Sequence, residues 1–276
     1  MKIGIVTSGV DMLVLFRFLA KHEFCYEIFY DQEGGLWGDK TSEFVLSRAK
    51  EGIAYLEKKG VTKIIVPPVV EVALLHDKKY AELILPLRTV YAKECLSASP
   101  VGKIGFAGDY VDVQMKEQFE AVFQSYVPNE RQTAITTKKK GGWKLSFRRK
   151  EMRMWKYYLT ELGFKSQLVH HSLKSDFRYF KEAMVDTLIP TQYGLFAYEV
   201  MLGKFFNTKK QRFHRLEKIE KEFSVLTQNL KLKTQNYEVI IYYTGTLDHL
   251  LREKKWVRIL QRGKQAPLAV HKIERS

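Results

Sequence analysis

Cysteine is nearly absent from this chain. Cys25 and Cys95 are the only two in 276 residues, too few for a disulfide framework and without the paired spacing of a zinc site. That usage fits a reducing compartment and a cytoplasmic protein. Long apolar runs are missing too, so nothing here is long enough to span a bilayer. Lys2 followed by apolar residues has the start of a secretory signal. Gly4, Thr7, Ser8, Gly9 and Asp11 break that run, and no small-residue cleavage site follows. The histidines show no metal-ligand spacing. His170 and His171 are adjacent on a predicted strand, where the two rings would face opposite ways. No metal and no cofactor is implied. Acidic charge is in deficit, with 31 Asp and Glu against 46 Lys and Arg, a net charge of +15. Such an excess speaks to partners rather than fold: nucleic acid, an anionic membrane surface, or a generally basic background.

A packed core is present. The hydrophobic content is 45%, and the length suits two medium domains or one large one. The chain opens on a buried strand, Lys2–Val6, a tight loop, Thr7–Gly9, and an apolar helix from about Val10. A strand running through Thr-Ser-Gly into a helix presents backbone N–H groups to an anion. A second strand spans Tyr26–Tyr30, followed by a turn-rich stretch to Asp39. Val45, Ala49, Ile53 and Leu56 recur at helical spacing and predict a helix from about Thr41 to Lys59, closed by Gly60. Lys63–Val66 reads as a third strand, Val69–Leu75 as a helix and Leu83–Leu87 as a fourth strand.

The pattern restarts at Lys103–Ala107, with Asp109 as N-cap of the next helix. Strands alternating with helices predict an α/β fold of two parallel-sheet domains. The first is expected over 1-98 plus about 253-276, and the second over 99-252, with a basic aromatic insertion near 131-165. Further helices are expected over Ser172–Thr187 and most of Gln192–Leu230. Strands are expected at Glu238–Tyr243 and Trp256–Leu260.

The insertion holds much of the positive charge. From Lys138 to Tyr158 there are nine Lys and Arg and one Glu, about half of the net excess. Its latter part reads as a helix that Ser146 could cap. Lys138, Lys139, Lys140, Lys144, Arg148, Arg149 and Arg153, with Trp143 and Trp155, could neutralise phosphates and stack on bases. A solvated basic face, an anionic membrane and a protein partner stand beside that reading.

The order of parts resembles the aspartate/glutamate racemase family. Gly4-Ile-Val-Thr-Ser-Gly-Val-Asp is similar to that family's opening strand and Asp-Ser-Gly loop. Leu36-Trp37-Gly38 lies where it has Pro-Tyr-Gly. Lys63-Ile-Ile-Val-Pro-Pro-Val-Val70 lies where it has Ala-Cys-Asn-Thr. Ile104-Gly-Phe-Ala-Gly-Asp109 is similar to the opening strand of its second domain, and Val239–Thr246 lies where it has Gly-Cys-Thr-His. The resemblance implies a small-carboxylate pocket between two domains, built by Thr7, Ser8, Gly9, Trp37, Gly38, Pro68, Val69, Thr244, Gly245 and Thr246. A homodimer stays open. It also implies two catalytic thiols acting on opposite faces of the substrate Cα. Those positions fall at Pro68 and Tyr243, the acid of the opening loop at Thr7, and the histidine after the second thiol at Gly245. Three readings follow: a racemase-like protein without the two-cysteine machinery, inactive or non-canonical; a diverged amino-acid isomerase or lyase using Asp31, Glu71, Asp109, Asp112 or His249; and a nucleic-acid binder using the basic segment. Cys25 and Cys95 lie away from the expected thiol positions.

Overall fold

The computed structural model describes residues 2–9, 14–16, 19, 22, 24–87, 102–125, 146–152, 154–155, 157–158, 165–206, 212–213, 223–224, 226–227, 238–245 and 268–273. The chain is α/β and divides into two compact units. One comprises Met1–Leu87 and Glu220–Ser276, the other Arg88–Ile219. The strands in chain order are β1 (Lys2–Thr7), β2 (Cys25–Asp31), β3 (Lys63–Ile65), β4 (Lys103–Gly108), β5 (Ser146–Glu151), β6 (Thr187–Pro190), β7 (Arg212–Phe213), β8 (Val239–Thr244) and β9 (Leu268–Lys272). They form two parallel sheets, ordered β3-β1-β2-β8-β9 and β5-β4-β6-β7.

In the first unit, β1 and β2 are buried almost end to end, the near-continuous apolar run of a parallel strand covered on both faces. Helix α1 (Ser42–Lys58) lies against this sheet. Thr41 Oγ1 caps it by accepting from the Phe44 N–H at 3.3 Å, and Val45, Ala49, Ile53 and Leu56 form its buried stripe. Gly52 is there for close approach. A Cβ at that position would come within 2.5 Å of the Phe29 ring. Helix α2 (Pro68–Leu74) starts on a proline, whose fixed φ suits the first helical position.

Helix α3 (Lys78–Leu83) occupies residues just before the expected fourth strand, and the strand itself does not form. Ile84 alone bridges β3, opposite Ile64.

The parallel register places Thr7 beside Tyr30, Asp31 beside Thr244 and Ile5 beside Ile65. The C-terminal ends of β1, β2, β3 and β8 therefore share one edge of one sheet. This corrects the sequence reading of Val239–Thr244. The segment is a buried strand as expected, but it pairs with β2 of the first unit and does not belong to a domain spanning 99-252. A buried apolar run declares a strand without declaring its sheet. The expected strand Trp256–Leu260 lies outside the described residues.

The second unit holds helices α4 (Tyr110–Gln114), α5 (Lys116–Ser125), α6 (Gln167–Glu182) and α7 (Glu199–Phe206). Val169, Leu173, Phe177 and Phe180 of α6 are fully buried, and Gly105 of β4 leaves room for the Phe180 ring. Three expectations change here. His170 and His171 sit on α6, not on a strand. The helix expected over Ser172–Thr187 ends at Glu182, and Thr187 opens β6. Ser146 opens β5 rather than capping a helix, and Phe147 of that strand stacks on Phe106 of β4 with ring centroids 5.6 Å apart. No helix among the described residues is long and apolar enough to cross a membrane.

Candidate functional site

The shared edge of the first sheet is organised by a buried acid. Asp31 ends β2 and is 0% exposed. Its carboxylate accepts hydrogen bonds from Arg48 Nε at 2.8 Å, Arg48 Nη2, Trp37 Nε1 at 2.9 Å, Thr244 Oγ1 at 2.7 Å and the Gly34 N–H at 3.2 Å. Burial alone would push this acid up. Hydrogen bonds from Arg48, Thr244, Trp37 and Gly34 together outweigh burial and hold the carboxyl below the ordinary aspartate value. With its acceptor sites filled and a guanidinium against it, Asp31 is an anchor rather than a general base.

Arg48 reaches Asp31 from α1, and its Nη1 donates to Glu51 at 2.8 Å. Arg48 was not anticipated from the sequence, although a signal exists. It lies three positions after Val45, on the buried stripe, where a charge requires a partner.

The knot reaches the turns predicted to hold an anion. Thr244 Oγ1 gives its proton to Asp31 and accepts from the Glu33 N–H at 3.2 Å. Ser8 Oγ accepts from the Trp37 backbone N–H at 3.0 Å. Thr7 Oγ1 donates to the Ser8 carbonyl at 3.4 Å. Thr7, Ser8 and Trp37 are each less than 8% exposed, and Gly38 is buried in the same 3₁₀ turn, Trp37–Asp39. Gly9 has φ +68°, and a Cβ there would come within 2.7 Å of Leu36. Gly245, also left-handed at φ +78°, packs against the Glu33 backbone.

Ser8 and Thr244 thus differ in what they can offer. The hydroxyl proton of Thr244 is committed to Asp31. That of Ser8 goes to none of the described residues.

Pro68 and Val69 are buried in the first turn of α2, after the end of β3. Tyr243 lies on β8 opposite Tyr30, one position before Thr244. Cys25 begins β2, at the opposite edge of the sheet from Asp31. Thr246, His249 and Cys95 lie outside the described residues, as does the side chain of Asp112. The predicted pairing of the Ser8 and Thr244 turns across two domains is corrected: both turns leave the same sheet.

In the second unit, β6 lies between β4 and β7 and ends at Pro190. Thr191, Gln192 and Tyr193 follow, all buried. Thr191 donates from both its N–H, at 2.8 Å, and its Oγ1, at 3.0 Å, to the Ala107 carbonyl at the end of β4. Asp109, directly after β4, is 3% exposed, and Glu71, on α2, is 0% exposed.

The basic segment is described only in part. Lys138, Lys139, Lys140, Trp143, Lys144 and Arg153 lie outside the described residues. Arg149 is ion-paired with Glu120, and Lys150 lies 3.9 Å from Asp176. Arg148 stands on β5 with them. Trp155 is 0% exposed, which corrects its reading as a base-stacking residue. Among the described residues, no group of His, Cys, Asp and Glu is arranged to hold a metal ion.

No protein-family model matches the sequence, and no curated protein matches it. Solved structures do. A glutamate racemase isoform from Bacillus anthracis superposes with a TM-score of 0.75 at 16% identity, over 99% of this chain and 97% of that one. Glutamate racemase from Francisella tularensis in complex with D-glutamate gives 0.74 at 15% identity, over 99% and 97%. The Escherichia coli enzyme in complex with L-glutamate and an activator gives 0.67 at 13%, over 99% and 98%. The chain therefore has the glutamate racemase fold, with almost no sequence in common.

Proposed function

We propose that this chain keeps the racemase scaffold, lacks two-thiol proton transfer, and holds a small carboxylate at the C-terminal edge of its first sheet. The observation that carries the reading is Ser8. It is a 7%-exposed hydroxyl at the end of β1 whose oxygen accepts from Trp37 and whose proton goes to none of the described residues. A buried O–H donor beside a left-handed glycine turn suits a carboxylate oxygen. The D-glutamate in the Francisella tularensis complex makes this ligand class a natural first probe.

The loss of two-thiol chemistry follows from elementary acid–base requirements. Proton abstraction at Cα needs a group that titrates, and a partner on the other face that returns the proton. Position 68 is proline. The second position is Tyr243 by the sequence resemblance, a phenol and not a thiol. Proline has no proton to exchange. Cys25 begins β2, at the far edge from Ser8, and Asp31 is occupied by five donors.

Calorimetric titration and thermal-shift screening against D-glutamate, L-glutamate, aspartate and succinate test the ligand. Saturable binding of at least one, weakened about tenfold by Ser8→Ala, is the expected outcome, and no binding of any of them ends the proposal. Incubation of the same amino acids in D₂O tests the chemistry. The expectation is no deuterium at Cα, and deuterium incorporation would restore the diverged-isomerase reading.

A further inference from the structure

Ser8 is held by a chain of contacts that begins at the buried ion pair. Asp31 is clamped by Arg48 and accepts from the Trp37 indole N–H at 2.9 Å. The Trp37 backbone N–H in turn donates to Ser8 Oγ at 3.0 Å. Trp37 is 4% exposed, so its ring has no freedom to leave the acid without opening the turn. Gly34 closes the same arrangement. A Cβ there would collide with Asp31 Oδ2 and come within 3.1 Å of Trp37 Nε1.

A hydroxyl has one proton and two acceptor lone pairs. When an N–H occupies a lone pair from one side, the O–H is turned away from that donor. The indole anchor fixes the backbone amide, and the amide fixes the direction in which Ser8 donates.

We propose that Trp37 is a positioning residue. Through its indole bond to Asp31 and its amide bond to Ser8, it aims the Ser8 hydroxyl at the carboxylate of the ligand. This rests on the carboxylate reading above. Trp37 itself need not touch the ligand.

The test is a double-mutant cycle on binding, with D-glutamate and succinate as probes, using wild type, Ser8→Ala, Trp37→Phe and the double variant. Trp37→Phe keeps an aromatic ring in the core and removes the indole donor along with some ring volume. Each single variant is expected to weaken binding about tenfold, the scale of one hydrogen bond to a charged group. The double variant is expected to bind no more weakly than Ser8→Ala alone, because Trp37 acts through Ser8. A merely structural role would make the two losses multiply, and that result overturns the inference, as does wild-type affinity in Trp37→Phe. If Trp37→Phe does not fold, Trp37→Met, which also lacks a ring donor, enters the same cycle with the same criterion. Failure of the wild type to bind either probe removes the carboxylate site and this role with it. Binding without coupling removes the role alone.

Discussion

Asp31 and Glu27 are both buried carboxylates on β2, on the same face of the sheet, at 0% and 1% exposure. Their surroundings are opposite. Asp31 receives five hydrogen bonds, two of them from a guanidinium. Glu27 has Lys2 Nζ at 2.5 Å, from a side chain 46% exposed, and neither of its oxygens accepts a hydrogen bond of good geometry. The Tyr242 phenol beside Glu27 is pushed up to about 12, by burial first and then by that negative charge. A buried charge is stable where donors converge on it and costly where they do not. The edge that carries Ser8 and Thr244 is the edge where donors converge. At the strand end that begins at Cys25, a half-solvated lysine and the Tyr242 phenol are what Glu27 has beside it.

The sharpest way to break this comparison is the same isosteric change at both positions. Asp31→Asn turns a saturated acceptor into an amide whose NH₂ must face Arg48. It leaves a largely buried guanidinium with only the half-exposed Glu51 and Glu33 as counter-charges, and the expected loss is about 3–5 kcal/mol of unfolding free energy in urea titration. A loss under 1 kcal/mol (the scale of an exposed pair) would mean that the knot is not an organising feature.

A smaller effect follows from the depressed pKa of Asp31. Its contribution is fully present above the unfolded value, about 4. On acidification the unfolded chain takes up the proton first, so the contribution fades below pH 4 and is gone once pH falls through the folded value. The gap in stability between wild type and Asp31→Asn should therefore be constant from pH 8 to about pH 5 and narrow below pH 4. A gap that stays constant to pH 3 would show that the folded carboxyl is not depressed.

The first unit shows what a sequence can and cannot say about such a site. The strand Lys2–Thr7, its Ser-Gly turn, and helix α1 between Thr41 and Gly60 were legible, because local period, cap and left-handed glycine all agree there. The sheet to which Val239–Thr244 belongs was not legible. Its partner β2 lies more than 200 positions away, and nothing in an apolar run names a partner. Ser146–Glu151 was missed for a different reason. Its charges argue against a strand by propensity, but this half-buried edge strand pairs Arg149 with Glu120, and Phe147 docks on Phe106 from within it. Of the site, Ser8 and Trp37 were named, but Asp31 stood only among candidate acids and Arg48 was absent. Their pairing joins a strand end to the middle of a helix, and only the packing of α1 on β2 brings them together.

Glu27→Gln should give the smallest effect. The carboxylate at position 27 has one long-range partner that is half in water, so the Coulomb gain is weak and screened. Replacing it with an amide removes a buried charge that few donors support. The same change frees Lys2 to remain with the Lys59 carbonyl, to which it already donates at 3.3 Å. The two consequences oppose each other, and the expected change in unfolding free energy is within about 1 kcal/mol. The Tyr242 phenol should titrate at lower pH in the variant, because the neighbouring negative charge that helps hold it up is gone. Ultraviolet difference titration of the tyrosines in both proteins reads that shift directly. A loss as large as that of Asp31→Asn would mean that Glu27 is as well supported as Asp31, and the contrast between the two ends of β2 would collapse.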